Sequence, residues 1–327
     1  MTPTKTERQS NAELLRILCI LTILLHHFCV HALYPEIDSL EIAGTGWDSH
    51  LLLYSYAILY IGVNCFVLIS GWFGIKLSWR GFINLYFVCA FYNLLASYSH
   101  LLSWETLMTV LFPFSHGQLW FIKCYFKLFL LAPLINPAIR YMNKRYYGLL
   151  LIALGVASLH YKEIWLNGYS LPHFIYLYLI GGFLHRVATE DRLRAHRWYY
   201  LGVYILSASV WGICTMLTAY GHTIPYWNVW AYNNPILLLT AIAFFLFIMS
   251  WQFQNKIVNR FALSTIGVYM LNEGVVGYSF LQPYAHAFHP LVQLLFLVGI
   301  TLLFYLLFVG VDQIRIILAH LLLKRIP

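Results

Sequence analysis

Arg16 and His27 are the two side chains in this chain best placed to do chemistry together. Both fall in the apolar run Asn11-Ala-Glu-Leu-Leu-Arg16-Ile-Leu-Cys-Ile-Leu-Thr-Ile-Leu-Leu-His26-His27-Phe28. At about 100° per residue, the steps between them make three helical turns plus roughly 20°. The spacing predicts one helix with both groups on one face, the imidazole about 16 Å further along the axis. His26 projects about 80° round from that face. Such a helix holds a permanent cation near one membrane surface and a titratable base well inside, where ionisable groups are costly and mark functional sites. A guanidinium suits a phosphate-bearing ligand, because it offers bidentate donors. An imidazole in a dry interior suits general-base work on a hydroxyl. Glu13, one turn before Arg16, can orient it. His31 follows His27 by one turn. A pair at that spacing can bind metal, but no third ligand is apparent, and no metal is expected.

Other groups with chemical potential lie in later apolar runs. Glu273 ends Ser264-Thr265-Ile-Gly267-Val-Tyr269-Met-Leu-Asn272-Glu273 and can neutralise Lys127 or Lys123, or orient a histidine. The two lysines share one helical face and, with Ser70, are candidates to stabilise a developing oxyanion. Asn64, Ser70 and Gly71 sit in one span and permit close helix approach or a helix break. Aromatic residues near the loops, Trp230 and Tyr169 among them, read as an interfacial belt, some of which can stack on a sugar.

The composition says which elements must position these groups. The 327 residues are 61% hydrophobic and 10% charged, with a net charge of +8 and a mean hydropathy of +0.70. Soluble domains carry about 25% charged residues, so an all-α polytopic membrane bundle is expected. Runs near 12–32, 51–73, 82–102, 119–139, 146–160, 172–186, 198–219, 232–251, 262–281 and 290–318 read as about ten transmembrane helices, the fifth and sixth short. Outside the spans, every Lys and Arg except Lys162 falls on one side, from Lys5 and Arg8 to Arg315, Lys324 and Arg325. By the positive-inside rule both termini are cytoplasmic, Arg16 lies near the cytoplasmic face and His27 in the outer half. The positive charge belongs to these loops and implies no nucleic-acid partner. The cysteines are scattered through apolar runs and read as packing residues. There is no P-loop, no G-x-S-x-G and no H-E-x-x-H.

Taken in order, these segments resemble the acyltransferase-3 family of bacterial integral-membrane acyltransferases. Arg16 and His27 match its Arg/Lys, ten residues, His motif, a spacing that selects His27 over His26. Gly62-Val-Asn-Cys-Phe-Val-Leu-Ile-Ser70-Gly71 resembles its second-helix block. Gln118-Leu-Trp120-Phe121 with Pro133-Leu-Ile-Asn136, Tyr176-Leu-Tyr-Leu-Ile-Gly181-Gly182, and Thr265-Ile-Gly267-Val-Tyr269 resemble three more. The resemblance implies a single integral-membrane acyltransferase domain over 1–327 in the inner cell membrane. It implies transfer of acetyl from cytoplasmic acetyl-CoA, the acyl donor, to a hydroxyl of a cell-surface or lipid-linked saccharide. Arg16 would engage the CoA end and His27 the transfer, with Glu273 in support. Lys127, Ser70, Trp120, Tyr269 and Asn272 complete the expected donor-binding set. One position departs. The family often has His where this chain has Asn272, which cannot act as a base but can hydrogen-bond acyl or acceptor groups. The rival reading is a transporter or flippase of a lipid-linked saccharide, which intramembrane Arg, Lys and Glu also suit. No inverted repeat supports it.

Overall fold

In the computed structural model, residues 8–41, 47–98, 103–117, 119–224, 228 and 230–323 are described. Lys5, Gln118, Lys324 and Arg325 lie outside them. The described chain is helical, with no strand among the described residues.

The principal helices are α1 (Ser10–Phe28), α2 (Trp47–Leu59), α3 (Gly62–Phe73), α4 (Trp79–Ala96), α5 (Trp120–Tyr141) and α6 (Lys144–His160). They continue as α7 (Leu171–Val187), α8 (Arg197–Ala219), α9 (Pro235–Met249), α10 (Thr265–Met270) and α11 (Pro290–Leu323). Each expected run contains helix, but fewer than ten are span-like. By length and composition, four helical segments among the described residues can cross a membrane: Ser10–Leu33, Trp120–Tyr141, Arg197–Ala219 and Leu291–Leu321. A fifth counts if Lys144–His160 and Lys162–Gly168 are one span bent by 101°. The run 51–73 breaks between α2 and α3, and the run 262–281 divides into α10, a π turn over Leu271–Val276 and a 3-10 turn over Ser279–Tyr284. Hydropathy registers composition over a window and is blind to such breaks, which packing imposes.

The break between α2 and α3 lets the two halves serve different partners. α2 packs on α8, whereas α3 packs on α1, α7 and α9. α1 touches α3, α9, α10 and α11 and is the hub of the bundle. The motif glycines make the α3–α7 contact. A Cβ on Gly71 would stand 2.1 Å from the Tyr178 carbonyl oxygen, and one on Gly181 would stand 2.4 Å from that of Leu68. Backbones this close leave no room for a methyl group, the small-residue packing that membrane helices use. A polar ring closes the end of α3. Tyr178 Oη donates to Asn136 Oδ1 at 2.6 Å, Ile75 N donates to Tyr178 Oη at 2.7 Å, and Asn136 Nδ2 donates to the Ile75 carbonyl at 2.9 Å. Gly71→Ala should therefore cost at least about 2 kcal/mol through overpacking. A thermal-unfolding midpoint in detergent unchanged from wild type would contradict this.

The outward faces are apolar. On α11, Leu295, Leu302, Leu306 and Ile314 are each exposed by roughly half or more. An apolar surface with polar groups folded inward inverts the soluble pattern. It marks an all-α bundle of membrane type.

Candidate active site

α1 and the segment after α10 meet at His27 and Glu273. The His27 Nδ1 stands 2.7 Å from Glu273 Oε1. His27 is buried and the Glu273 carboxylate about a quarter exposed. A carboxylate at that distance accepts a hydrogen bond from Nδ1–H and leaves the Nε2 lone pair free, the arrangement of a general base with an orienting carboxylate. Of the alternatives open for Glu273, the structure realises the histidine partner. Lys127 is exposed, Lys123 is half-buried, and neither pairs with a carboxylate among the described residues.

Asn272 is buried, and its amide lies 2.6 Å from the same Nδ1. One Nδ1 proton can serve both neighbours only if the amide turns its oxygen to the ring. The amide also lies 3.2 Å from Tyr278 Oη. Tyr278 Oη in turn lies 3.4 Å from Glu273 Oε1. Asn272 thus stands behind the histidine and positions it.

His27 and Glu273 open onto a cavity of about 80 Å³ between α1, α3, α5 and α10. Trp120 and Tyr269, both expected at the site, line it, as do His26, Tyr60 and Tyr232. Tyr60 and Tyr232 stack at 4.5 Å, and Trp120 adds a third layer 5.8 Å from Tyr232. Tyr60 Oη and Tyr169 Oη are hydrogen-bonded at 2.9 Å. This rigid aromatic wall stands beside the imidazoles, with Tyr60 edge-on to His26 at 5.8 Å.

The remaining expected residues fall elsewhere. Ser70 Oγ donates to the Phe66 carbonyl at 3.1 Å and lies 3.4 Å from Tyr125 Oη. It does not line the cavity, and neither does Lys127. Arg16, three turns back along α1, bonds Glu13 at 2.7 Å, a carboxylate that also receives Arg8 at 3.3 Å. Near that end of α1 a second, polar cavity of about 580 Å³ is lined by Gln9, Asn11, His185, Gln252 and Phe253, among others. Arg194 bonds Gln252 there, and Arg197 lies over the Trp251 ring at 4.5 Å.

Two arrangements were not foreseen. After Phe28 the helix widens into a π turn over Cys29–Leu33, which brings His31 alongside both preceding histidines. One ring nitrogen from each of His26, His27 and His31 lies within 4.8 Å of the others. The third nitrogen missing from the sequence pattern is His26, placed apart on ideal α-helical angles. The other is an ion pair inside α11. Arg315, grouped above with the loop charges, is buried and grips Asp312 at 2.6 and 3.1 Å. Asp312 Oδ1 also accepts from Tyr92 Oη at 2.7 Å. A Cβ on Gly267 would stand 1.9 Å from that oxygen, so glycine there lets α10 close on the pair. The i,i+3 spacing of Asp312 and Arg315 was the available signal.

No curated protein and no solved structure matches the chain. One family model, described as an acyltransferase domain, matches residues 10–310, from the first residue of α1 well into α11. With both halves of the His27–Glu273 pair inside that stretch, the chain belongs to the acyltransferase-3 family.

Proposed function

We propose that this acyltransferase moves an acetyl group from acetyl-CoA to a hydroxyl of a cell-surface or lipid-linked saccharide in the bacterial inner membrane. The observation that carries the reading is Glu273 Oε1 on His27 Nδ1 at a cavity wall, on a helix that also bears Arg16. The Lys and Arg asymmetry supports about ten passes, short and broken ones included, with both termini in the cytoplasm and the whole chain working as one domain. The nucleotide end of the donor docks at the polar cavity by Gln252 and Phe253, with Arg16, Arg194 and Arg197 near its phosphates. The pantetheine arm then runs along α1 towards His27.

There the acceptor O–H gives its proton to His27 Nε2 as its oxygen attacks the thioester carbonyl. The C–S bond breaks, and the imidazolium returns the proton to the departing thiolate. Glu273 holds the tautomer and steadies the transient imidazolium charge. The Tyr60–Tyr232–Trp120 wall offers a ring face to a sugar. Tyr269, also lining the cavity, is a hydroxyl donor for the carbonyl oxygen, a task Lys127 and Ser70 are badly placed to perform.

Purified protein supplied with acetyl-CoA and a saccharide acceptor should release free CoA thiol and an acetylated sugar. Mass spectrometry of surface saccharide from a deletion strain should show the acetyl missing. Transport of a lipid-linked saccharide without acetyl-CoA turnover would replace this reading with the flippase.

A further inference from the structure

The π turn after α1 does more than end a helix. In an α-helix residues five apart point about 140° away from each other. A π turn bonds i to i+5 and is wound more loosely, which brings residues five apart nearer to one side. That geometry brings His31 beneath His26 while keeping it one turn from His27. The ring centroids lie 4.9 Å apart for His26–His27, 5.7 Å for His26–His31 and 5.3 Å for His27–His31. Nitrogens bound to one tetrahedral zinc-class ion at about 2.0–2.1 Å stand roughly 3.3 Å from each other. The three nitrogens, within 4.8 Å here, need to close by at most about 1.5 Å, which side-chain rotations supply.

A second observation points to a metal. His27 places Nδ1 on Glu273, which leaves Nε2 for an ion. A carboxylate on the far nitrogen of a histidine ligand is the usual outer support of a metal site, fixing the tautomer and raising ligand basicity. Neutral imidazoles in this number suit zinc, copper, nickel or cobalt, and not the hard cations that want oxygen. His31 is exposed and gives an ion a way in, while the cavity beside His26 and His27 leaves a fourth position open.

We propose that His26, His27 and His31 form a three-histidine site for a divalent transition-metal cation of the zinc class, and that its occupancy holds acyl transfer off. The second half rests on the acyltransferase reading above. Nδ1 of His27 is committed to Glu273, so its single free lone pair is on Nε2. A metal on Nε2 takes the electrons that would accept the acceptor proton. Neither Zn²⁺ binding nor its release changes any oxidation state.

The test uses the whole purified protein, stripped with a chelator and then titrated with Co²⁺ or Zn²⁺. Wild type should take up about one equivalent, and the cobalt form should show the intense visible bands of tetrahedral coordination. His31→Ala should weaken binding by more than the roughly 10–100-fold that loss of an outer-shell partner costs. His31→Cys guards against a folding defect: it restores a ligand and should bind cobalt with an added thiolate band. Acetyl-CoA turnover by stripped wild type should fall as Zn²⁺ rises, with its midpoint at the binding midpoint. Reloaded wild type that holds no metal overturns the site and leaves the acyltransferase reading standing. Metal bound while turnover is unchanged or raised overturns the blockade. Metal bound by a protein that never turns over acetyl-CoA supports the site and counts against the acyltransferase reading.

Discussion

His27→Ala should lower acyl transfer by at least about 10²–10⁴-fold, the range that a positioned acid–base group supplies. The loss should fall on kcat, because most of the cavity wall that holds the substrates lies off α1. Glu273→Gln tests the pairing more sharply. The amide keeps the shape of the carboxylate and can still accept from Nδ1, but it brings no negative charge to the imidazolium. A drop in kcat with KM nearly unchanged is expected, smaller than that of His27→Ala. The double variant should be little worse than His27→Ala alone, since the carboxylate acts through the ring. His26→Ala should be milder, because that ring lines the cavity without touching Glu273. The readouts are CoA thiol release in detergent and acetylation of surface saccharide in cells. Wild-type acetylation by folded His27→Ala protein would end the assignment of His27 as base.

Asp312→Ala should be the most destabilising single change in the bundle. The Arg315 guanidinium is 4% exposed and takes both oxygens of Asp312. Removing the carboxylate strands a buried cation and takes away the acceptor of Tyr92 Oη. Breaking such a pair from one side costs about 3–5 kcal/mol. Replacing both partners, Asp312→Ala with Arg315→Met, should recover a good part of that loss, because no uncompensated charge remains. Unfolding of the four proteins in a graded detergent series measures the coupling. A double variant as damaged as the sum of the singles would show that the pair is not a unit.

The site was legible where chemistry depends on residue type and helical spacing, and illegible where it depends on departures from ideal helix. Arg16 and His27 share a face on plain α-helical arithmetic, and Trp120 and Tyr269 line the same cavity. Glu273 was legible as a charge, but its partner was left among a lysine pair and a histidine, since only tertiary packing decides which segment meets α1. The same limit hid the Asn272 contact, which puts that side chain behind the imidazole. His26 was set apart by its azimuth from Arg16 and His27, and the spacing carries no sign of the π turn that brings His31 beside it. The membrane bundle was legible from composition, whereas the breaks at Tyr60–Ile61 and after Met270 were not. They follow from which neighbour each half must reach. Arg315 was counted with the cytoplasmic-side charges, and its pairing with Asp312 inside α11 went unread.

Both partners of the His27–Glu273 pair lie at a π turn, Cys29–Leu33 on one side and Leu271–Val276 on the other. A π turn is what one extra residue leaves in an α-helix that has not been broken to receive it. The third histidine is therefore held beside the other two by local winding and not by α-helical spacing. If Cys29–Leu33 wound as regular α-helix, His31 would stand about 140° round from His26 while staying about 40° from His27. Deleting one residue between Phe28 and His31 would remove the need for the wide turn and set the histidine four positions after His26, about 40° away, so that the three imidazoles stay on one side of a plain α-helix.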